Sequence, residues 1–399
     1  MSDHSYLDWP FFEPWHRDLA LSVREWAERE IGPQESLEPR GAALDEHCVA
    51  LVRSLGDAGW LRHSVTSDHG GARANIDTRA LCLIRETLAS FSGLADFVFA
   101  LQGLGSGPIS LFGSDELKRQ YLPGIAAGAK IPAFAISEAE AGSDIAAMRT
   151  VARQEGQSYV IDGEKTWISN ASIADFFVVF CRLPEGGERG SIALVVDATT
   201  PGIAVTGCGE IIAPHAIGTV TFSNCRVPVS HVIGAPTKGI SIALATLDVF
   251  RPTVGAAALG IARRALDESL SRTRDRSVFG SPLSGLQFTQ AKLAQMATDI
   301  DASALLVYRA AWAHDAGDAR TTREAAMAKW FATEAAQRTV DSAVQLHGGT
   351  GVVVGSTVER LYREVRSLRI YEGTSEVQQL VIAAQVIAAD RAAVTQVPR

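Results

Sequence analysis

Tyr159-Val160-Ile161, Phe176-Phe177-Val178-Val179-Phe180-Cys181, Ile192-Ala193-Leu194-Val195-Val196 and Thr219-Val220-Thr221-Phe222 are short β-branched and aromatic runs, separated by Gly156, Asp162-Gly163, Gly186-Gly187 and Pro201-Gly202. Runs of this length between turn residues predict strands, with Asp162-Gly163 as a hairpin turn. On either side the period becomes helical. Leu19, Val23 and Trp26 share one helix face, as do Leu44, Cys48, Leu51 and Leu55, and Asp77 is placed to cap the segment carrying Leu81, Ile84 and Leu88. Between Thr253 and Val397 the only proline is Pro282, which suits the long helices of a bundle. The expected fold is therefore α+β and mostly α. It has an N-terminal α-helical domain over 1–130, a small middle β barrel or sandwich over 131–235, and a C-terminal four-helix bundle over 236–399. This order is not the βαβ alternation of a dinucleotide-binding sheet, so Gly103-x-Gly105-x-Gly107 reads as loop glycine.

A chain of 399 residues, 47% hydrophobic and 21% charged, is long and apolar enough for about two or three domains and excludes disordered and collagen-like classes. The formal net charge is −8, and no Lys/Arg stripe offsets it, which argues against nucleic acid. Seven acidic residues in the first thirty, and no uncharged apolar run of spanning length, predict a cytoplasmic protein without membrane insertion. Five cysteines without a C-x-x-C pair and nine scattered histidines give neither a disulfide framework nor a metal site.

Thr321 with Glu324, Ser356 with Glu359, and Ser375 with Gln378 read as capping boxes. The third begins a helix directly after Ile370-Tyr371-Glu372-Gly373-Thr374 and places Glu372 in the loop leading into that helix.

Five stretches together resemble the acyl-CoA dehydrogenase family: Ser137-Glu138-Ala139-Glu140-Ala141-Gly142-Ser143-Asp144, Gly163-Glu164-Lys165-Thr166-Trp167-Ile168-Ser169-Asn170, Arg276-Ser277-Val278-Phe279-Gly280, Gln345-Leu346-His347-Gly348-Gly349 and Tyr371-Glu372-Gly373-Thr374-Ser375. The resemblance implies FAD-dependent α,β-dehydrogenation of an acyl-CoA to the trans-2-enoyl thioester. Glu372 would be the base that takes the α-proton, with its amide on the thioester carbonyl. It implies that Phe134, Ala135, Ile136, Ser137, Gly142 and Ser143 line the pyrimidine side of the flavin, and that Trp167, Ile168 and Ser169 meet its ring. A regular strand would put Trp167 and Ser169 on one face. Arg276, Phe279, Gln287, Gln345, Leu346, His347, Gly348 and Gly349 would serve the diphosphate, and Thr374, Ser375 and Glu376 the adenosine. Ser143, Tyr371, Gly373, Asp248 and Arg251 would meet the substrate, although Asp248 and Arg251 also read as a surface salt pair.

The implied partners are acyl-CoA, an electron-transfer flavoprotein as electron acceptor, and further copies of the chain in a homotetramer built as a dimer of dimers. Ala139 stands where the family has Pro, and Gly209–Thr219 departs from the family pattern. A carrier-protein thioester, or oxygen as acceptor, is therefore the alternative within the fold. A non-catalytic scaffold of the same descent is the rival outside enzymology.

Overall fold

The computed structural model describes residues 5–184, 190–318 and 320–395, so the Gly186-Gly187 break lies outside the described residues. The first helices are α1 Pro14–Glu30, α2 Ala42–Asp57, α3 Thr78–Phe91, α4 Gly93–Phe112 and α5 Asp115–Ala126. Seven strands follow: β1 Pro132–Ala135, β2 Val151–Glu155, β3 Ser158–Ser169, β4 Phe176–Arg182, β5 Ser191–Asp197, β6 Ile203–Gly207 and β7 Ile217–Pro228. Helix α6 covers Gly239–Asp275, β8 Ser277–Val278 and β9 Ser281–Pro282 form a ribbon, and α7 Gln287–Asp315, α8 Thr322–His347, α9 Thr357–Leu368 and α10 Ser375–Thr395 complete the chain. By their internal contacts these elements form two compact units: Met1–Leu37 with Thr78–Asp96 and Asp248–Arg399, and Glu38–Asp77 with Phe97–Leu247.

The second unit is organised on a sheet of order β1-β4-β2-β3-β7-β6, with β5 also paired to β4. Strands β4 and β5 are buried along almost their whole length, which explains why their sequences are unbroken apolar runs and do not alternate. Asp162-Gly163 is not a hairpin. Strand β3 runs through it, and a register shift against β7 falls between Ile161 and Gly163. Asp162 Oδ1 accepts the Asn224 amide at 2.8 Å, and Gly163 has φ +144°, with Thr150 Cα 2.6 Å from where a Cβ would stand. The pair thus makes a bulge; the hairpin turn lies at Gly156, between β2 and β3. Nor are Gly103, Gly105 and Gly107 in a loop, for all three lie inside α4. The apolar residues around them, including Leu101, Leu104 and Ile109, outweigh the low helix propensity of glycine.

Lys165 on β3 is wholly buried. Its ammonium donates to Ile136 O at 3.0 Å and to Glu138 Oε1 at 2.8 Å. Glu138 also accepts the Arg149 amide at 2.6 Å and the Thr150 amide at 2.9 Å. Its carboxyl is held below the usual range despite burial, through the Lys165 and Arg149 hydrogen bonds. One buried pair therefore fixes the segment after β1 against β3.

In the first unit a core from α3, α6, α7, α8 and α9 includes Cys82, Leu83, Val254, Ile300, Tyr308, Ala336, Val340 and Leu361. Glu86 accepts from Arg263 at 2.8 Å and from the Tyr308 hydroxyl, while Asp315 accepts the first α3 amides, Thr78 at 2.8 Å and Arg79 at 3.1 Å. The helices announced by the three capping boxes begin where expected, but their bonds differ. Neither Thr321 nor Ser356 makes a side-chain cap bond; Thr374, not Ser375, accepts the Val377 amide at 3.3 Å. Among the described residues, three helices also contain windows long and apolar enough to span a bilayer. Those in α4 and α6 are 89% and 78% buried, whereas that in α10 is 6% buried.

Replacing Lys165 with Met should destabilise the chain by about 3–5 kcal/mol, because it strands the Glu138 carboxylate without its counter-charge. Lys165→Met with Glu138→Gln should recover part of that loss. Urea unfolding of both variants checks it.

Candidate active site

The loop between α9 and α10 is built from two consecutive left-handed residues, Glu372 at φ 53° and Gly373 at φ 93°. For glutamate this conformation costs about 1 kcal/mol or more and persists only under external restraint. Restraint comes from two sides. Lys329 Nζ, wholly buried on α8, donates to Gly373 O at 2.7 Å. Gln378 Nε2, on the first turn of α10, donates to Glu372 O at 3.2 Å and Gly373 O at 3.1 Å. Only glycine fits at position 373, where a Cβ would stand 2.4 Å from that Gln378 nitrogen. Arg369 O accepts the Ser375 amide at 3.1 Å and closes the loop.

The Glu372 side chain turns inward, and its Oε2 is buried without a hydrogen-bond partner. Burial raises its pKa above the usual carboxylate range; Arg85, Lys329 and Arg251 oppose the rise and Asp96 adds to it. These groups come from α3, α8, α6 and α4. Arg85 and Asp96 form a bidentate pair at 2.7 and 2.8 Å. Arg251 donates to Asp248 at 2.9 Å, and Asp248 also accepts the Thr322 hydroxyl at 2.6 Å. With Arg251 only 4% exposed, the pair is not a surface salt bridge; it forms one wall of the buried charge cluster.

In the second unit Trp167 is 57% exposed and has φ 58°. The plain i, i+2 strand geometry expected for Trp167 and Ser169 is broken by a register shift between Lys165 and Ile168. That bulge buries Lys165, Thr166 and Ile168 while leaving Trp167 open and Ser169 half-buried. The side chains of Phe134, Ala135 and Ile136 are buried, and the carbonyls of Ile136 and Ser137 are taken by Lys165 Nζ and the Thr166 amide. What this segment offers a ligand is therefore its remaining backbone and the exposed Gly142 and Ser143. A large aromatic face laid open beside small polar groups fits a flat heteroaromatic ring.

The remaining sequence-predicted residues lie in the first unit. Arg276 is exposed immediately after α6, and Phe279-Gly280, at φ 51° and 81°, forms the tight turn of the β8–β9 ribbon. Gln287, Gln345, Gly348 and Gly349 are exposed, and a Cβ at either glycine would meet nothing within 4 Å. A free guanidinium and open glycine backbone fit a diphosphate. Leu346 packs on the helical core, and His347 Nδ1 is tied to Ala343 O at 2.8 Å. Thr374 caps α10, Glu376 is exposed, and the Ser375 hydroxyl is committed to Glu334 at 2.5 Å. Sequence reasoning passed over Arg85, Asp96 and Lys329 and took Gln378 only as a cap. The available signal was a cation within an apolar run: Arg85 between Ile84 and Leu88, and Lys329 among Ala325, Ala328 and Ala332.

Burial lowers the Lys329 pKa to about 8. A lysine whose folded pKa lies below its unfolded value binds a proton more readily in the unfolded chain, so stability rises with pH above about 8. Relative to Lys329→Met, the parent should gain about 1.4 kcal/mol per pH unit between pH 8 and 10. Denaturant midpoints across that range check the sign and the slope.

Family models described as the N-terminal, middle and C-terminal domains of acyl-CoA dehydrogenase match residues 13–129, 133–225 and 237–387. A 3-(aryl)acrylate reductase of Clostridium sporogenes is 37% identical, over 94% of this chain and 100% of that protein. A probable acyl-CoA dehydrogenase, FadE25 of Mycobacterium tuberculosis, is 36% identical over 92% of this chain and 94% of its own. A crystal structure of an acyl-CoA dehydrogenase complexed with FAD, from Bacillus anthracis, superposes with a TM-score of 0.88 at 29% identity, covering 98% of this chain and 72% of that one. The chain belongs to the acyl-CoA dehydrogenase family, with the fold, the oxidoreductase activity and the FAD cofactor of that family.

Proposed function

We propose that the chain removes an α-proton and a β-hydride from an acyl-CoA, with Glu372 as the base. The observation that carries this reading is the Glu372 carboxylate: one oxygen is buried without a partner, on a loop that Lys329 and Gln378 hold in a left-handed conformation. A base intended for a weakly acidic C–H must be desolvated, so that it binds the proton firmly, yet ionised before the substrate arrives. Burial supplies the first condition; Arg85, Lys329 and Arg251 act toward the second, although burial outweighs them. Ionised Glu372 takes the α-proton, the released electron pair forms the Cα–Cβ double bond, and the β-hydrogen departs with its own pair. FAD, when bound, supplies the acceptor for that hydride.

The Glu372 amide is offered to the thioester carbonyl, where it stabilises developing negative charge. Asp248 and Ser143 serve the pantetheine arm. Trp167 and Ser169 hold the flavin ring, with Arg276, Gln287 and the Gly348-Gly349 backbone on the diphosphate. Glu138 is excluded as an alternative base because Lys165 and two backbone amides occupy its carboxylate. An electron-transfer flavoprotein is the proposed oxidant of the reduced enzyme, and a homotetramer the proposed assembly.

Glu372→Gln should keep FAD and the ligand-induced shift of its spectrum, while anaerobic bleaching by a good acyl thioester falls by about 10³-fold or more. Bleaching near the parental rate would move the base elsewhere. Because one relative is a 3-(aryl)acrylate reductase, the thioester panel should pair straight-chain with aryl-substituted acyl groups. Trp167→Ala should weaken FAD retention and alter the flavin spectrum with Glu372 intact; unchanged affinity and spectrum would remove Trp167 from the ring site.

A further inference from the structure

Glu372 stands midway between Arg369 and Ser375. Arg369 O accepts the Ser375 amide at 3.1 Å and brings these two ends of the loop together. That is one neutral hydrogen bond, and its net worth is of the same order as the strain of a left-handed glutamate. A second closure lies beside it. Glu334 Oε1, on α8, accepts Arg369 Nε at 2.8 Å and the Ser375 hydroxyl at 2.5 Å. One carboxylate oxygen thus joins both ends of the loop, and its charge strengthens each bond. The Arg369–Glu334 contact alone would be a partly exposed ion pair, with side chains 30% and 24% exposed, and such pairs contribute little. Ser375 changes that reading, because it is 6% exposed and opens α10. Its hydroxyl ties a buried helix start to the same oxygen.

We propose that Glu334 is a positioning residue for the loop that carries Glu372: by binding Arg369 and Ser375 with one oxygen it fixes the span of the loop, and so the reach of the Glu372 carboxylate. This rests on the reading of Glu372 as the base. Lys329 and Gln378 act on the carbonyls of Glu372 and Gly373, and those bonds leave the two ends of the loop untouched. At the α9 end the Ile370 and Tyr371 amides are anchored on Ser367 O at 2.9 and 3.2 Å. The α10 end has less to hold it, since the apolar window of that helix is only 6% buried and packing within the chain does little to fix its start. The Glu334 carboxylate supplies the missing hold from α8. A base must meet its C–H at a near-attack distance, and a shift of about 1 Å costs on the order of 10²-fold in rate. Glu334 itself touches neither substrate nor flavin in this assignment. Its loss therefore slows proton removal without weakening either ligand.

The test is anaerobic flavin bleaching by the FAD-loaded enzyme, with the acyl-CoA of the straight-chain and aryl-substituted panel that bleaches the parent fastest. The rate at saturation and the half-saturating concentration are read separately. Glu334→Ala should lower the saturating rate by about 10-fold to 10²-fold. FAD content and the half-saturating concentration should stay within about threefold of the parent. Glu334→Gln keeps an acceptor oxygen of the same reach and should restore the rate to within about threefold. Ser375→Ala should be slow by itself, yet add no further loss to Glu334→Ala, because both remove the same contact. A purely structural Glu334 would lower the urea midpoint of Glu334→Ala and leave the bleaching rate of its folded, FAD-loaded fraction unchanged. A rate within about twofold of the parent in that fraction overturns the proposal, as does a Glu334→Gln rate as low as that of Glu334→Ala. If Glu334→Ala does not fold, Ser375→Ala decides, and a parental rate there overturns the proposal. Glu372→Gln, assayed in parallel, keeps the two readings apart. Normal bleaching by Glu372→Gln sinks the base assignment; no bleaching there, with parental rates in the Glu334 and Ser375 variants, sinks only the role of Glu334.

Discussion

Everything near the loop between α9 and α10 follows from the burial of one carboxylate oxygen, Glu372 Oε2. A glutamate removed from water prefers to be neutral, and a neutral Glu372 accepts no proton. The bundle counters this by bringing three cations to it from three helices, Arg85 on α3, Arg251 on α6 and Lys329 on α8. Each cation in turn has its own partner: Asp96 for Arg85, Asp248 for Arg251, and the Gly373 carbonyl for Lys329. The net result is still a raised pKa. Burial thus outweighs the three cations, which reduce the rise without cancelling it.

The two units use one device. In each, a wholly buried lysine donates to a main-chain carbonyl: Lys165 to Ile136 O, Lys329 to Gly373 O. A backbone loop has little apolar surface with which to fix itself. A charged donor in a dry environment gives a stronger, directional hold. The difference lies in the counter-charge. Lys165 has Glu138 within 2.8 Å, whereas Lys329 faces carboxylates without a close pair, and its pKa falls to about 8. The first lysine is structural ballast; the second belongs to the same electrostatic balance as the base.

Much of this was legible in the sequence. The helical, strand and helical stretches follow from hydrophobic period and turn residues, and the motifs around Trp167, Arg276 and Glu372 carry the resemblance to a family that binds FAD. The errors have common physical origins. Asp162-Gly163 has the composition of a turn, but a neighbouring strand pairs across it, and tertiary pairing converts a turn signal into a bulge. Gly103, Gly105 and Gly107 lie in a helix because burial of the residues between them outweighs propensity. The capping boxes located helix starts correctly, yet the Gln378 side chain donates to the loop carbonyls of Glu372 and Gly373 and does not take up the first amide of the helix.

The residues that sequence reading missed are of one kind. Arg85, Asp96 and Lys329 are charged groups on helices whose surroundings are apolar, and a periodicity argument assigns such residues to solvent. In α3 every residue from Thr78 to Ala89 is buried, so the helix has no solvent face to which Arg85 could belong, and the period carries no information about it. Only the pairing of Arg85 with Asp96 makes its burial tolerable. A buried charge is thus interpretable through its partners, one of which, Thr253, is more than 150 residues away in sequence. Helices α3 and α6 are joined at that contact, and a local reading of either segment cannot supply it.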